Sequence, residues 1–154
     1  MALHAWALEA QRSCGGRATR AETIHLTLAY LGHVDAELVA GLQGISVAAV
    51  CHTLPIEAAR YWARNHIVWL GPRETPNALE ALVSSLVLQL NEKGFKTESR
   101  KFSAHITLIR KARDPGTLPV VPAVTWPVEE FVLVRSRLSA TGSRYEVLER
   151  FPLS

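Results

Sequence analysis

Apolar positions recur along this chain with two periods, and the places where one gives way to the other mark its elements. Leu3, Trp6, Ala7 and Ala10 fall near helical spacing, so residues 3–13 read as a short amphipathic helix. The Cys-Gly-Gly at 14–16 ends it. After the polar run RATRAE, the stretch IHLTLAYL (24–31) alternates with period two and predicts a strand closed by Gly32. Asp35 suits the N-cap of a helix over AELVAGLQGISVAAV, which Gly41 and Gly44 weaken. Strands are expected over 54–62 and 66–70, joined by ARN and closed by GPRETP. Thr75 and Pro76 form an N-cap and first-turn pair for a helix running to about Lys93, stopped by Gly94. A basic approach, FKTESRKF, leads to a further strand, AHITLIR (104–110). A proline-bearing loop over 111–127 follows, and then a hairpin: EFVLVRSRL, a turn at SATGS, and RYEVLERF. This order predicts an α+β protein with mainly antiparallel sheet.

Composition narrows the class without naming a function. A chain of 154 residues, 48% hydrophobic and 20% charged, is one domain's worth of sequence and can bury a continuous core. The formal charge of +3 comes with far more Arg than Lys, which suits an anionic ligand but does not by itself argue for nucleic acid. Cys14 and Cys51 form no CxxC and no ligand cluster, so both read as free thiols in a reducing compartment. No apolar run reaches the roughly 18 residues that cross a bilayer, and the first residues have the wrong charge order for a secretion signal. The expectation is a cytoplasmic protein with no membrane association.

Candidate chemistry lies in two matching strands. Alternate residues of a strand face opposite ways. Ile24, Leu26 and Leu28 therefore share one face, while His25 and Thr27 share the other. In the second copy, Ala104, Ile106 and Leu108 face one way, and His105 and Thr107 the other. Each strand thus anchors itself with aliphatics and offers an imidazole and a hydroxyl about 6.5–7 Å apart. One such histidine is usually a core or surface residue; two among six carry a chance of about one in a hundred. His4, His33, His52 and His66 lack the partner hydroxyl and are expected to play ordinary roles. Paired imidazoles suit phosphodiester hydrolysis, one taking a proton from water and the other protonating the leaving alkoxide. Threonine hydroxyls can hold nonbridging oxygens, and Arg110 directly after the second motif adds positive charge.

The duplicated His–aliphatic–Thr–aliphatic motif resembles the two-histidine (2H) phosphoesterase superfamily. Within it the chain is most similar to the bacterial RNA 2′,3′-cyclic phosphodiesterases, historically called 2′-5′ RNA ligases. HLTLAYLG, HIVWLGP, FSAHITLIRK and FVLVRSRLSATGSRYEVLERFPL match the family's style and order over nearly the whole chain. The resemblance implies a single two-lobed domain over 1–154 with pseudo-twofold symmetry, each lobe a small antiparallel sheet with helices outside and the motif strands lining a central cleft. It implies metal-independent hydrolysis of RNA 2′,3′-cyclic phosphate ends to 2′-phosphate, with no cofactor. It makes His25 the proton donor, His105 the proton acceptor, and Thr27, Thr107 and Arg110 the phosphate-binding residues; strand parity alone does not distinguish the two histidines. The aromatic-rich first strand usual in the family is missing here, which implies an unpaired sheet edge in one lobe.

Two other readings use the same residues: 2′-5′ ligation or cleavage of another cyclic phosphate or 2′-5′ linkage, and an RNA-end binding module without turnover. RNA ends or small cyclic nucleotides are the expected partners, and no obligatory protein partner is evident. The basic residues Arg17, Arg20, Arg100, Lys101, Arg110 and Lys111 flank both motif strands and are placed to steer an RNA backbone. Trp62, Trp69 and Trp126 sit in apolar strands and receive no site role, since such residues are more often core.

Overall fold

The structure is a computed structural model that describes residues 2–140 and 142–154. Its elements are α1 (Ala2–Cys14), β1 (Arg17–Ala18), α2 (Ala36–Ala40), β2 (His52–Pro55), β3 (Ala58–Trp62), β4 (Ile67–Gly71), α3 (Asn77–Glu92), β5 (Ile106–Arg110), β6 (Thr125–Val128), β7 (Glu130–Ser139) and β8 (Gly142–Pro152). One 3₁₀ turn, Ala21–Thr23, precedes the first motif. The protein is α+β, and every strand pair with a described register is antiparallel. The chain divides into two compact units. The first holds 1–28, 54–76 and 103–126; the second holds 29–53, 77–102 and 127–154. Neither unit is contiguous in sequence.

The first unit is built on a four-stranded sheet in the order β1-β5-β4-β3. Its core face carries Val68, Leu70, Ile106, Leu108 and Ile109, all fully buried. Helix α1 packs on β1 and β5 and buries Leu3, Trp6, Ala7 and Ala10, the stripe its spacing predicts, together with Cys14. Each large apolar side chain removed from water in this way contributes about 1.5–3 kcal/mol. The helix ends where glycine permits left-handed backbone: Gly15 has φ 61° and Gly16 φ 76°, and the Gly15 N–H donates to Gln11 O at 2.8 Å.

In the second unit, α3 buries Leu79, Leu82, Val83, Leu86 and Leu90 on one face. Gly94 ends it at φ 91°, with the Phe95 N–H donating to Leu90 O at 3.0 Å and the Phe95 ring buried. Strands β7 and β8 form the expected hairpin, with Phe131 and Phe151 stacked at 4.7 Å and Arg135 bonded to its cross-strand partner Glu146 at 2.5 Å. That guanidinium holds the Glu146 carboxyl below the usual range. The turn expected at SATGS includes Thr141, which lies outside the described residues.

Six expectations need correction. The strand expected over 54–62 is two, β2 and β3, which lie in different sheets, and the loop expected over 111–127 runs into β6 at Thr125. The stretch 24–31, read as a strand, joins no ladder among the described residues, although Ile24 itself is extended (φ −66°, ψ 123°). Helix α2 stops after Ala40, because Gly41 and Gly44 (φ 89°) offer little against the entropy of continuing. Asp35 precedes α2 without making a side-chain cap hydrogen bond. Helix α3 begins at Asn77, one residue later than the Thr75–Pro76 pair predicts.

Candidate active site

Both motifs fall in the first unit. The parity argument holds for each, whether or not its segment joins a ladder. Around the first motif Ile24 is buried and Leu26 and Leu28 are half-buried, while His25 and Thr27 are exposed. Around the second, Ala104, Ile106 and Leu108 are buried and His105 and Thr107 are half-buried.

The two imidazoles are held alike. His25 Nδ1 lies 2.7 Å from the carbonyl oxygen of Thr23, and His105 Nδ1 lies 2.9 Å from that of Ser103. A carbonyl only accepts, so Nδ1 carries a proton in both rings and Nε2 is the nitrogen left for proton transfer. His25 Nε2 is 3.1 Å from Thr27 Oγ1. In the neutral ring that nitrogen accepts from the hydroxyl; in the imidazolium it donates to it. His52 repeats the carbonyl anchor, with Nδ1 2.9 Å from Val50 O. It differs where chemistry needs access: its Nε2 is buried without a partner, and Leu54 stands two residues on where the motifs carry threonine. His4 Nδ1 bonds Thr19 O, and His66 Nδ1 meets the Tyr61 hydroxyl.

His105 also has an aromatic wall. Its ring centroid lies 4.8 Å from that of Trp62 and 6.0 Å from that of Trp69, and the two indoles are 5.0 Å apart. Trp69 pairs with Thr107 in the β4–β5 register, so it shares the motif's face. Its Nε1–H is buried and has no hydrogen-bond partner among the described residues. The sequence reading left both tryptophans without a role. Their residue type gave no reason to look further, since cross-strand register cannot be read from one strand.

Arg110 reaches the same face through a β-bulge. Trp69 pairs with Thr107 and Val68 with Ile109, so Leu108 is an extra residue on β5. Leu108 and Ile109 both enter the core, each fully buried. Without the bulge, Arg110 would lie on the opposite face from Thr107; with it, the two share one. Thr19 fastens β1 alongside, its N–H donating to Leu108 O at 2.8 Å and its hydroxyl to Thr107 O at 3.1 Å. Among the described residues no three His, Cys, Asp or Glu side chains gather as a metal-ligating group. No helix among them is long and apolar enough to cross a membrane.

Comparison with known proteins bears directly on this geometry. The model of the 2′-5′ RNA ligase superfamily matches residues 2–140. The chain belongs to that family. It is 36% identical over 143 residues to the RNA 2′,3′-cyclic phosphodiesterase of Escherichia coli K12, covering 90% of this chain and 81% of the relative. It is 33% identical over 147 residues to the protein of the same name from Thermus thermophilus, covering 84% and 72%. Among solved structures, E. coli LigT complexed with 3′-AMP superposes with a TM-score of 0.86 at 32% identity, over 99% of this chain and 92% of that one. E. coli LigT complexed with phosphate gives 0.82 at 30%, over 99% and 91%.

Proposed function

We propose that this chain hydrolyses 2′,3′-cyclic phosphates at RNA ends to 2′-phosphates, using its two motif histidines as acid and base. The matched anchoring of His25 and His105 through Nδ1 carries the reading, because it leaves each Nε2 as the working nitrogen. Water attacks phosphorus while His105 Nε2 takes its proton. The bond from phosphorus to the 3′ oxygen breaks, and the His25 imidazolium gives that oxygen its proton. Thr27 and Thr107 donate hydroxyl hydrogen bonds to the nonbridging oxygens, and Arg110, on the Thr107 face, binds substrate phosphate. Relatives named RNA 2′,3′-cyclic phosphodiesterase support the substrate.

In this reading residues 1–154 work as one domain, since each unit is assembled from three separated segments. RNA ends or small cyclic nucleotides are its partners, no cofactor or metal takes part, and the cytoplasm is its compartment, where the free thiols persist. The test is incubation with a short RNA ending in 2′,3′-cyclic phosphate. The expected product carries a 2′-phosphate; a 3′-phosphate, or an unchanged end, contradicts the reading.

A further inference from the structure

The β1–β5 pair sets one arginine directly against another. Arg17 and Arg110 are register partners, so their side chains leave the same face of the sheet, which the Leu108 bulge makes the face of Thr107. Both are exposed. Like charges directly opposite destabilise a strand pair. The hairpin shows the usual solution in this same protein, Arg135 opposite Glu146. Neither Arg17 nor Arg110 makes an ion pair among the described residues, whose four salt bridges involve Arg20, Arg100, Arg135 and Arg150. Arg137 opposite Arg144 repeats the like-charge arrangement on β7–β8, but no motif residue shares that sheet.

Two unneutralised guanidiniums on neighbouring strands form a fork for an anion, and arginine matches phosphate geometry bidentately. Their position identifies the anion. Because the bulge absorbs one residue, Arg110 takes the next place after Thr107 on the site face, about 6.5–7 Å along the strand. That is one step along an extended RNA backbone from a phosphate held at Thr107. We propose that Arg17 and Arg110 together clamp the internucleotide phosphate on the 5′ side of the terminal nucleotide, so that the protein selects RNA chain ends over free cyclic mononucleotides. The proposal rests on the cyclic-phosphodiesterase reading above.

The test compares a trinucleotide ending in 2′,3′-cyclic phosphate with the corresponding cyclic mononucleotide. In Arg17→Ala, kcat/KM for the trinucleotide is expected to fall about tenfold more than for the mononucleotide. The salt dependence of binding, measured by fluorescence anisotropy on the 2′-phosphorylated trinucleotide, should lose about 0.7 from its log–log slope, one single-strand phosphate contact. Arg17→Lys should keep that slope. Arg17→Glu should lose the trinucleotide preference while melting no lower than wild type, because a carboxylate opposite Arg110 relieves the repulsion. Loss of preference with a lowered melting temperature in both Ala and Glu variants would make Arg17 a structural residue and overturn the clamp. An unchanged substrate ratio or salt slope in Arg17→Ala overturns the clamp alone. A wild-type protein inert on both substrates overturns the clamp and the proposed activity together.

Discussion

Replacing Gly16 with alanine tests how the sheet edge beside the site is held. The backbone at Gly16 is left-handed (φ 76°), which costs a residue with a Cβ about 1–2 kcal/mol. The added carbon would also run into the Arg110 carbonyl oxygen, and would lie 2.9 Å from Lys111 O and 3.0 Å from Ala112 N. Comfortable carbon–oxygen contacts begin near about 3.3 Å. These neighbours are backbone, so relief requires β1 to move off β5, straining the Thr19 bonds to Leu108 and Thr107. Two weakened hydrogen bonds at about 1 kcal/mol each bring the total to about 3–4 kcal/mol. Gly15 supplies the matched control. Its φ is 61°, but a Cβ there meets only the flexible end of the Arg113 side chain, at 3.3 Å, so Gly15→Ala should cost only the backbone term. In urea, with a slope of about 2 kcal/mol per molar, Gly16→Ala should lower the midpoint by about 1.5–2 M and Gly15→Ala by about 0.5–1 M. Equal shifts in the two variants would refute the argument that close strand approach, not backbone handedness, demands glycine at 16.

Trp62→Ala removes the nearer wall of His105 and should lower kcat about tenfold with little change in KM, while Trp62→Phe keeps most of the rate; an equal loss in both variants would show that His105 does not depend on an aromatic neighbour. The thiols should separate cleanly in a labelling experiment. Cys51 is exposed and should react in the native protein, whereas Cys14 is fully buried, and burial raises its pKa against the smaller lowering by a backbone hydrogen bond and Arg113. Two thiols labelled at equal rates without denaturant would contradict the packing of α1.

Much of this arrangement is legible in the residues, and the gaps have physical causes. The hairpin, α1 and α3 follow from period and glycine placement, because local preference and burial agree there. The face assignment of His25 and Thr27 survives although no ladder forms around them among the described residues, since the exposure of alternate residues does not require a partner strand. The end of α2 depends on how far two glycines outweigh a moderately apolar run, a balance that propensity alone leaves open. The bulge at Leu108 had a faint signal: consecutive Leu108 and Ile109 break the period of two just before Arg110. Reading it required the β4 register, and the same register was needed to bring Trp69 beside Thr107. Arg17 opposite Arg110 is a cross-strand fact of the same kind.

The central claim is that His25 and His105 act as one acid–base pair, and the most direct measurement is the rate on a short RNA ending in 2′,3′-cyclic phosphate for His25→Ala, His105→Ala and the double variant. Each single replacement should lower kcat at least about a hundredfold. The double variant should be about as slow as the slower single, because partners in one proton-transfer step are not additive. Near-wild-type turnover in either single variant, or independent losses that multiply in the double, would contradict the account.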